Sequence, residues 1–143
     1  MKKEKSCGAV IFREEKESNS TKMLFLIVKY VKGKNYWGLV KGHVEKDETE
    51  QETAKREIYE EVGITKFEFI DGFKEVITYS PEKDVMKDVV FFLAKTEQEN
   101  LTYHWNEHND HKWLSAEDSI KQLTYEKDKN IIRKANNFLE SRN

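Results

Sequence analysis

Between Gly42 and Ile64 the chain reads GHVEKDETEQETAKREIYEEVGI, a stretch with both ends of a helix written into it. Asp47 or Thr49 suits the N-cap, and Gly63 is a natural stop, so a helix is expected from about Glu50 to Val62. A rotation of about 100° per residue puts Glu57 and Glu61 one turn apart, with Glu60 beside them. Ala54, Ile58 and Val62 fall on a neighbouring stripe suited to packing on a sheet. The helix must therefore lie against other structure and still present acids at its border. Carboxylates this close repel one another unless a cation or protons compensate. Hard oxygen donors without His or Cys favour magnesium or manganese. The ordinary alternative for an acidic stripe is a solvated surface.

The other elements follow from hydrophobic patterning. Cys7 to Phe12 (CGAVIF) and Met23 to Val31 (MLFLIVKYV) read as buried strands, antiparallel neighbours joined by a polar loop from Arg13 to Lys22. Gly33-Lys34-Asn35 reads as a turn, Tyr36 to Val40 as a short extended piece and Lys41 to Glu48 as a loop. Lys66 to Tyr79 alternates in part and predicts strands broken at Asp71-Gly72. After a turn around Pro81 comes another strand, Val85 to Ala94. Ser115 caps a short helix, and an amphipathic helix covers about Lys127 to Glu140. Strands with flanking helices predict an α/β sandwich in one domain spanning residues 1–143.

Charged residues make up 36% of the chain, yet eight Phe, six Tyr and three Trp supply core-filling side chains. The 25 basic and 27 acidic residues nearly balance, which gives no long-range pull toward duplex nucleic acid or an acidic membrane. The lone Cys7 excludes an intrachain disulfide and a thiolate zinc cage, and its apolar setting predicts a buried, unreactive thiol. No apolar window approaches the roughly 20 residues of a membrane span, and no secretory leader is apparent after Met1. A cytoplasmic protein is expected. There is no GxxxxGK[ST] phosphate loop.

The segment from Gly42 resembles the Nudix box, G-x5-E-x7-R-E-U-x-E-E-x-G-U, with U bulky and aliphatic. Gly42, Glu48, Arg56, Glu57, Ile58, Glu60, Glu61, Gly63 and Ile64 fill every defined position. Chance agreement is roughly 10⁻⁹ from average residue usage. The resemblance implies a mixed sheet sandwiched between helices, with the box as loop, helix and loop. It implies that Glu57, Glu60 and Glu61 bind Mg²⁺, or Mn²⁺, with Glu57 alternatively the base. It also implies that the Lys41 carbonyl joins the metal, that Arg56 and Glu48 brace the loop, and that Gly42 admits metal and phosphate closely.

Beyond the box, WGLVKGHVE (Trp37 to Glu45), CGAVIF, GFKEVITY (Gly72 to Tyr79), EHNDHKWL (Glu107 to Leu114) and LTYEKDKNIIRKANNFL (Leu123 to Leu139) resemble the asymmetrically cleaving diadenosine tetraphosphate hydrolases. Leu39-Val40 departs from them, since many carry prolines there. This resemblance implies magnesium-dependent hydrolysis of diadenosine tetraphosphate to ATP and AMP. Tyr79 then either stacks on a base or is a plain strand-end aromatic. Lys41, Lys74 and Lys87 either meet phosphate or face solvent, and His43 either touches phosphate or braces its loop. Glu107 matches an acid outside the box that reaches a metal. Other Nudix substrates (nucleoside triphosphates, nucleotide sugars, capped RNA) and a nonenzymatic nucleotide-binding module stay open, as does the oligomeric state.

Overall fold

The computed structural model describes residues 1–31, 33, 35–102 and 108–142. Strand β1 (Lys2–Glu17) is its spine. Along one edge it pairs antiparallel with β2 (Ser20–Tyr30) and with β4 (Val40–His43). Along the other it runs parallel to β7 (Val85–Thr96). The short strand β3 (Tyr36–Gly38) and β8 (His108–Leu114) pair with β2, while β5 (Phe67–Phe69) and β6 (Glu75–Tyr79) pair with β7. The result is one mixed sheet of eight strands among the described residues.

Helix α1 (Glu50–Val62) covers one face of this sheet, and α2 (Ala116–Gln122) with α3 (Glu126–Ser141) covers the other. The period of two in a strand explains how one apolar run serves both layers. Ala9, Ile11, Leu26 and Val28 meet Ile58 and Val62 of α1. Val10, Phe12, Phe25 and Ile27 meet Leu123, Ile131, Ile132, Ala135 and Leu139 beneath α2 and α3. This is the predicted α/β sandwich, with α1 and α3 close to their expected bounds.

Two expectations are corrected. Arg13 to Lys22 is not a loop: β1 and β2 continue through it to a two-residue turn at Ser18-Asn19, with Glu17 opposite Ser20. The arms of this hairpin project past the helices, so their side chains are exposed from Lys16 to Lys22 and leave no apolar pattern to read. Lys41 to His43 is strand, paired with Ser6 to Gly8, because β1 offers a distant backbone partner that local propensity does not reveal. The polar run His108 to Leu114 is also strand, held by its ladder to β2.

Candidate active site

Helix α1 begins with a complete capping box. Thr49 Oγ1 accepts from the Glu52 N–H at 3.1 Å, and Glu52 Oε1 accepts from the Thr49 N–H at 2.8 Å. Glu50 and Glu52 in the first turn suit the positive end of the helix dipole. Gly63 ends the helix at φ 67°, a conformation few side chains tolerate. The helix thus has a set phase, with Ala54, Ile58 and Val62 turned to the sheet.

That phase also buries Glu61, which is 2% exposed. Its Oε2 accepts from the Lys41 N–H at 3.1 Å, and its Oε1 lies 2.9 Å from the Tyr30 hydroxyl. Tyr30 Oη is also 2.7 Å from the Leu39 carbonyl, to which it donates. One turn earlier, Glu57 lies against Glu61, and a hydrogen bond joins the two carboxyls. Burial first, and the neighbouring Glu57 charge second, push Glu61 well above the ordinary carboxylate range. Burial likewise raises Glu57. Two desolvated carboxyls in contact form a place for a proton or a cation.

Arg56 supplies nearby positive charge. Its Nε and Nη2 grip Glu48 at 2.7 and 3.0 Å in a bidentate pair. Nη1 donates to Glu57 at 3.0 Å and to Glu60 at 2.9 Å, and Nη2 donates to the His43 carbonyl at 2.9 Å. Glu48 also accepts from Thr53 Oγ1 and from the Glu45 N–H. The Arg56 guanidinium leads these in lowering Glu48 to about 2. One guanidinium therefore ties the loop before the helix to the helix itself. Among the described residues no three His, Cys, Asp or Glu side chains already converge as a cage for an ion. Glu60 leans on Arg56, and Glu61 is turned inward to Tyr30 and Lys41.

These groups border a cleft of about 480 Å³, lined by Tyr30, Lys41, His43, Arg56, Glu57, Glu60 and Lys87 among others. Tyr36 and Lys41 are shared with a smaller cavity of about 50 Å³ bordered by Tyr79, Tyr125, Lys127 and Asp128. A row of rings connects the two: Tyr30 stacks on Tyr36 at 4.8 Å, and Tyr36 meets Tyr125 at 5.3 Å. Lys41 Nζ lies 3.3 Å from Tyr36 Oη. Lys127 Nζ sits 3.6 Å from the centre of the Tyr79 ring. Another depression, of about 500 Å³ beside β5, holds none of the predicted site residues.

A model of the NUDIX domain family matches residues 2–135. The chain belongs to the Nudix family. This Nudix chain is 31% identical over 141 residues to the asymmetrical bis(5'-nucleosyl)-tetraphosphatase of Mus musculus, covering 94% of itself and 95% of that protein. It is 32% identical over 137 residues to the corresponding Caenorhabditis elegans protein, with 94% and 96% covered. A crystal structure of a C. elegans Ap4A hydrolase binary complex superposes with a TM-score of 0.84 at 32% identity, covering 96% of this chain and 98% of that one.

In this Nudix domain the fold brings Glu57, Glu60, Lys41, His43 and Lys87 to the cleft and Tyr79 to the adjoining cavity. His43 is exposed, and its carbonyl braces Arg56. Lys74 is a correction. Its ammonium pairs with Glu50 at 2.8 Å, beside Lys5, and it does not line the cleft. It precedes β6, at the end of the strand opposite Tyr79. Glu107 lies outside the described residues. Sequence reading missed Tyr30, Tyr36, Tyr125, Lys127 and Asp128. They come from three separate elements, so only the sheet and α3 assemble them. Cys7 is fully buried, and burial raises its thiol to about 11, as befits an unreactive group.

Proposed function

We propose that this chain is a magnesium-dependent hydrolase of dinucleoside polyphosphates and that it cuts diadenosine tetraphosphate to ATP and AMP. One observation carries the reading: the cleft that holds Glu57 and Glu60 shares Lys41 and Tyr36 with a cavity bordered by Tyr79 and Tyr125. Such a site suits a ligand with a long anionic chain and a flat aromatic end. The names of the relatives supply the substrate class.

The donor set fits a hard divalent cation, since Glu57, Glu60 and Glu61 offer carboxylate oxygens and the Glu57–Glu61 contact calls for compensating charge. These three residues, with the Lys41 carbonyl, would hold it. A bound divalent cation neutralises phosphate charge and lowers the pKa of water. The chain's own residues do the rest. Lys41 and Lys87 meet the phosphate oxygens, and Tyr79 and Tyr125 flank the base. Arg56 orients Glu57 and Glu60, and a carboxylate of this cluster accepts the proton that water loses as it attacks phosphorus. Water adds across one phosphoanhydride bond, giving one triphosphate and one monophosphate.

Product analysis on a panel of substrates with Mg²⁺ tests this. ATP and AMP in equal amounts from diadenosine tetraphosphate support it. Hydrolysis of a nucleoside triphosphate or nucleotide sugar, with diadenosine tetraphosphate untouched, overturns it.

A further inference from the structure

We infer that Lys127 is a specificity-determining residue: its ammonium fills the tyrosine slot of the free protein and passes to the phosphate chain when a base takes its place. The inference deepens the proposed function, since it rests on taking that slot for the base and the adjoining cleft for the phosphates.

Lys127 is the second residue of α3 and is half-buried. Its Nζ lies 3.6 Å from the centre of the Tyr79 ring and 5.0 Å from that of Tyr125. Tyr79 ends β6 and Tyr125 is the residue before α3, so the fold fixes both rings. About 50 Å³ stays free beside them, room for a few waters and not for a purine ring. A base can stack on the Tyr79 face only after the ammonium has left it. The attraction of an ammonium to a ring face is modest, and a lysine on its flexible four-carbon stem is the part that can move.

The displaced charge has a destination. Lys41 lines both the slot and the cleft, and Lys87 lines the cleft. Burial first, and the Lys41 charge second, lower Lys87, and the Lys127 charge adds to them while Glu4 opposes. Asp128 in turn faces the charges of Lys41 and Lys127. The three ammonium groups are close enough to feel one another, and a polyanion among them relieves that repulsion. By moving from a ring face to a phosphate oxygen, Lys127 exchanges a weak contact for a charge-assisted hydrogen bond. Base and phosphate chain therefore help each other. A nucleoside alone must evict the ammonium with no anion to receive it, whereas a polyphosphate draws the ammonium out and opens the slot. The site thus selects ligands in which a base and a long phosphate chain are joined.

Calorimetric titration of the wild type and K127A with adenosine and with ATP, in EDTA so that nothing turns over, separates this from simpler roles. We expect K127A to bind adenosine about fivefold or more tighter and ATP about fivefold or more weaker. Only these opposite shifts support the inference. A damaged fold weakens both ligands, a mere plug tightens both, and a mere phosphate contact changes ATP alone; each of these patterns overturns it.

A second measurement needs only the wild type. Saturating inorganic triphosphate should tighten adenosine binding by about fivefold or more, and K127A should lose this coupling. Adenosine affinity that is unchanged or lowered by triphosphate rejects the inference, and if K127A does not fold, this result decides. Opposite shifts without cleavage of diadenosine tetraphosphate would keep the inference and remove the proposed activity. Cleavage with parallel shifts would do the reverse.

Discussion

The carboxyl group of Glu57 occupies the space that a side chain on Gly42 would fill: a Cβ built there would lie 2.1 Å from Glu57 Cδ. Gly42 is in β4 and Glu57 is in α1, so the absence of a side chain on the strand lets a helix acid reach the floor of the cleft. Gly42→Ala should displace the far end of Glu57 and leave the backbone in place. We expect kcat to fall by about two orders of magnitude or more while the Tm shifts by only a few degrees. Assays of turnover and thermal unfolding check this. Full activity with an intact fold would show that the position of Glu57 does not matter.

Glu57 and Glu61 are both raised above the ordinary value of 4.5, each chiefly by burial, and the Glu57 charge raises Glu61 further. A raised acid contributes stability fully below its unfolded value, and that stability is lost as pH climbs through the folded value. The metal-free protein should therefore lose Tm from these groups as pH rises from about 4.5. Glu61→Gln should remove part of that slope, because an amide cannot ionise. Mg²⁺ should raise the wild-type Tm more at pH 8 than at pH 6, and EDTA should reverse it. A wild-type response to Mg²⁺ that is independent of pH would contradict the proposed ligand set.

The ion pair between Arg56 and Glu48 has the opposite sign. Glu48 is lowered to about 2, chiefly by the Arg56 hydrogen bond. Its contribution is present above about 4.5 and is lost as pH falls toward 2. Glu48→Gln should therefore cost stability at pH 7, about 1–2 kcal/mol for a partly exposed pair. The cost should shrink below pH 4. Unfolding curves at both pH values test this, and an equal cost at both would assign the loss to packing.

Tyr79 and Tyr125 border the cavity that shares Tyr36 and Lys41 with the cleft beside Glu57. Replacing Tyr125 by Ala should weaken dinucleotide binding by about 1–3 kcal/mol, roughly 5- to 150-fold in KM. The same change should leave kcat within a few-fold, since the carboxylates and Arg56 are untouched. Tyr125→Phe should retain most of the affinity. A fall in kcat alone would place Tyr125 in the chemical step.

By itself, the sequence determined the helix that carries the acids. Thr49, Glu52 and Gly63 cap it locally, and a period near 3.6 sets which residues turn inward. It determined the buried strands too, since CGAVIF and VVFFLA are apolar enough to fill both layers. These features depend on neighbours a few residues apart, which a linear reading can see. The tertiary structure alone decided which acids stay accessible. Glu61 lies on the predicted face, yet Tyr30 and the Lys41 N–H draw it into burial, while Arg56 holds Glu60 at the rim. It also decided that Lys74 pairs with Glu50 away from the cleft, and that Tyr36, Tyr79, Tyr125 and Asp128 share one cavity. Those contacts join strands and helices far apart in sequence. They exist only because the β1–β7 pairing and the packing of α3 bring the elements together, and no local pattern records them.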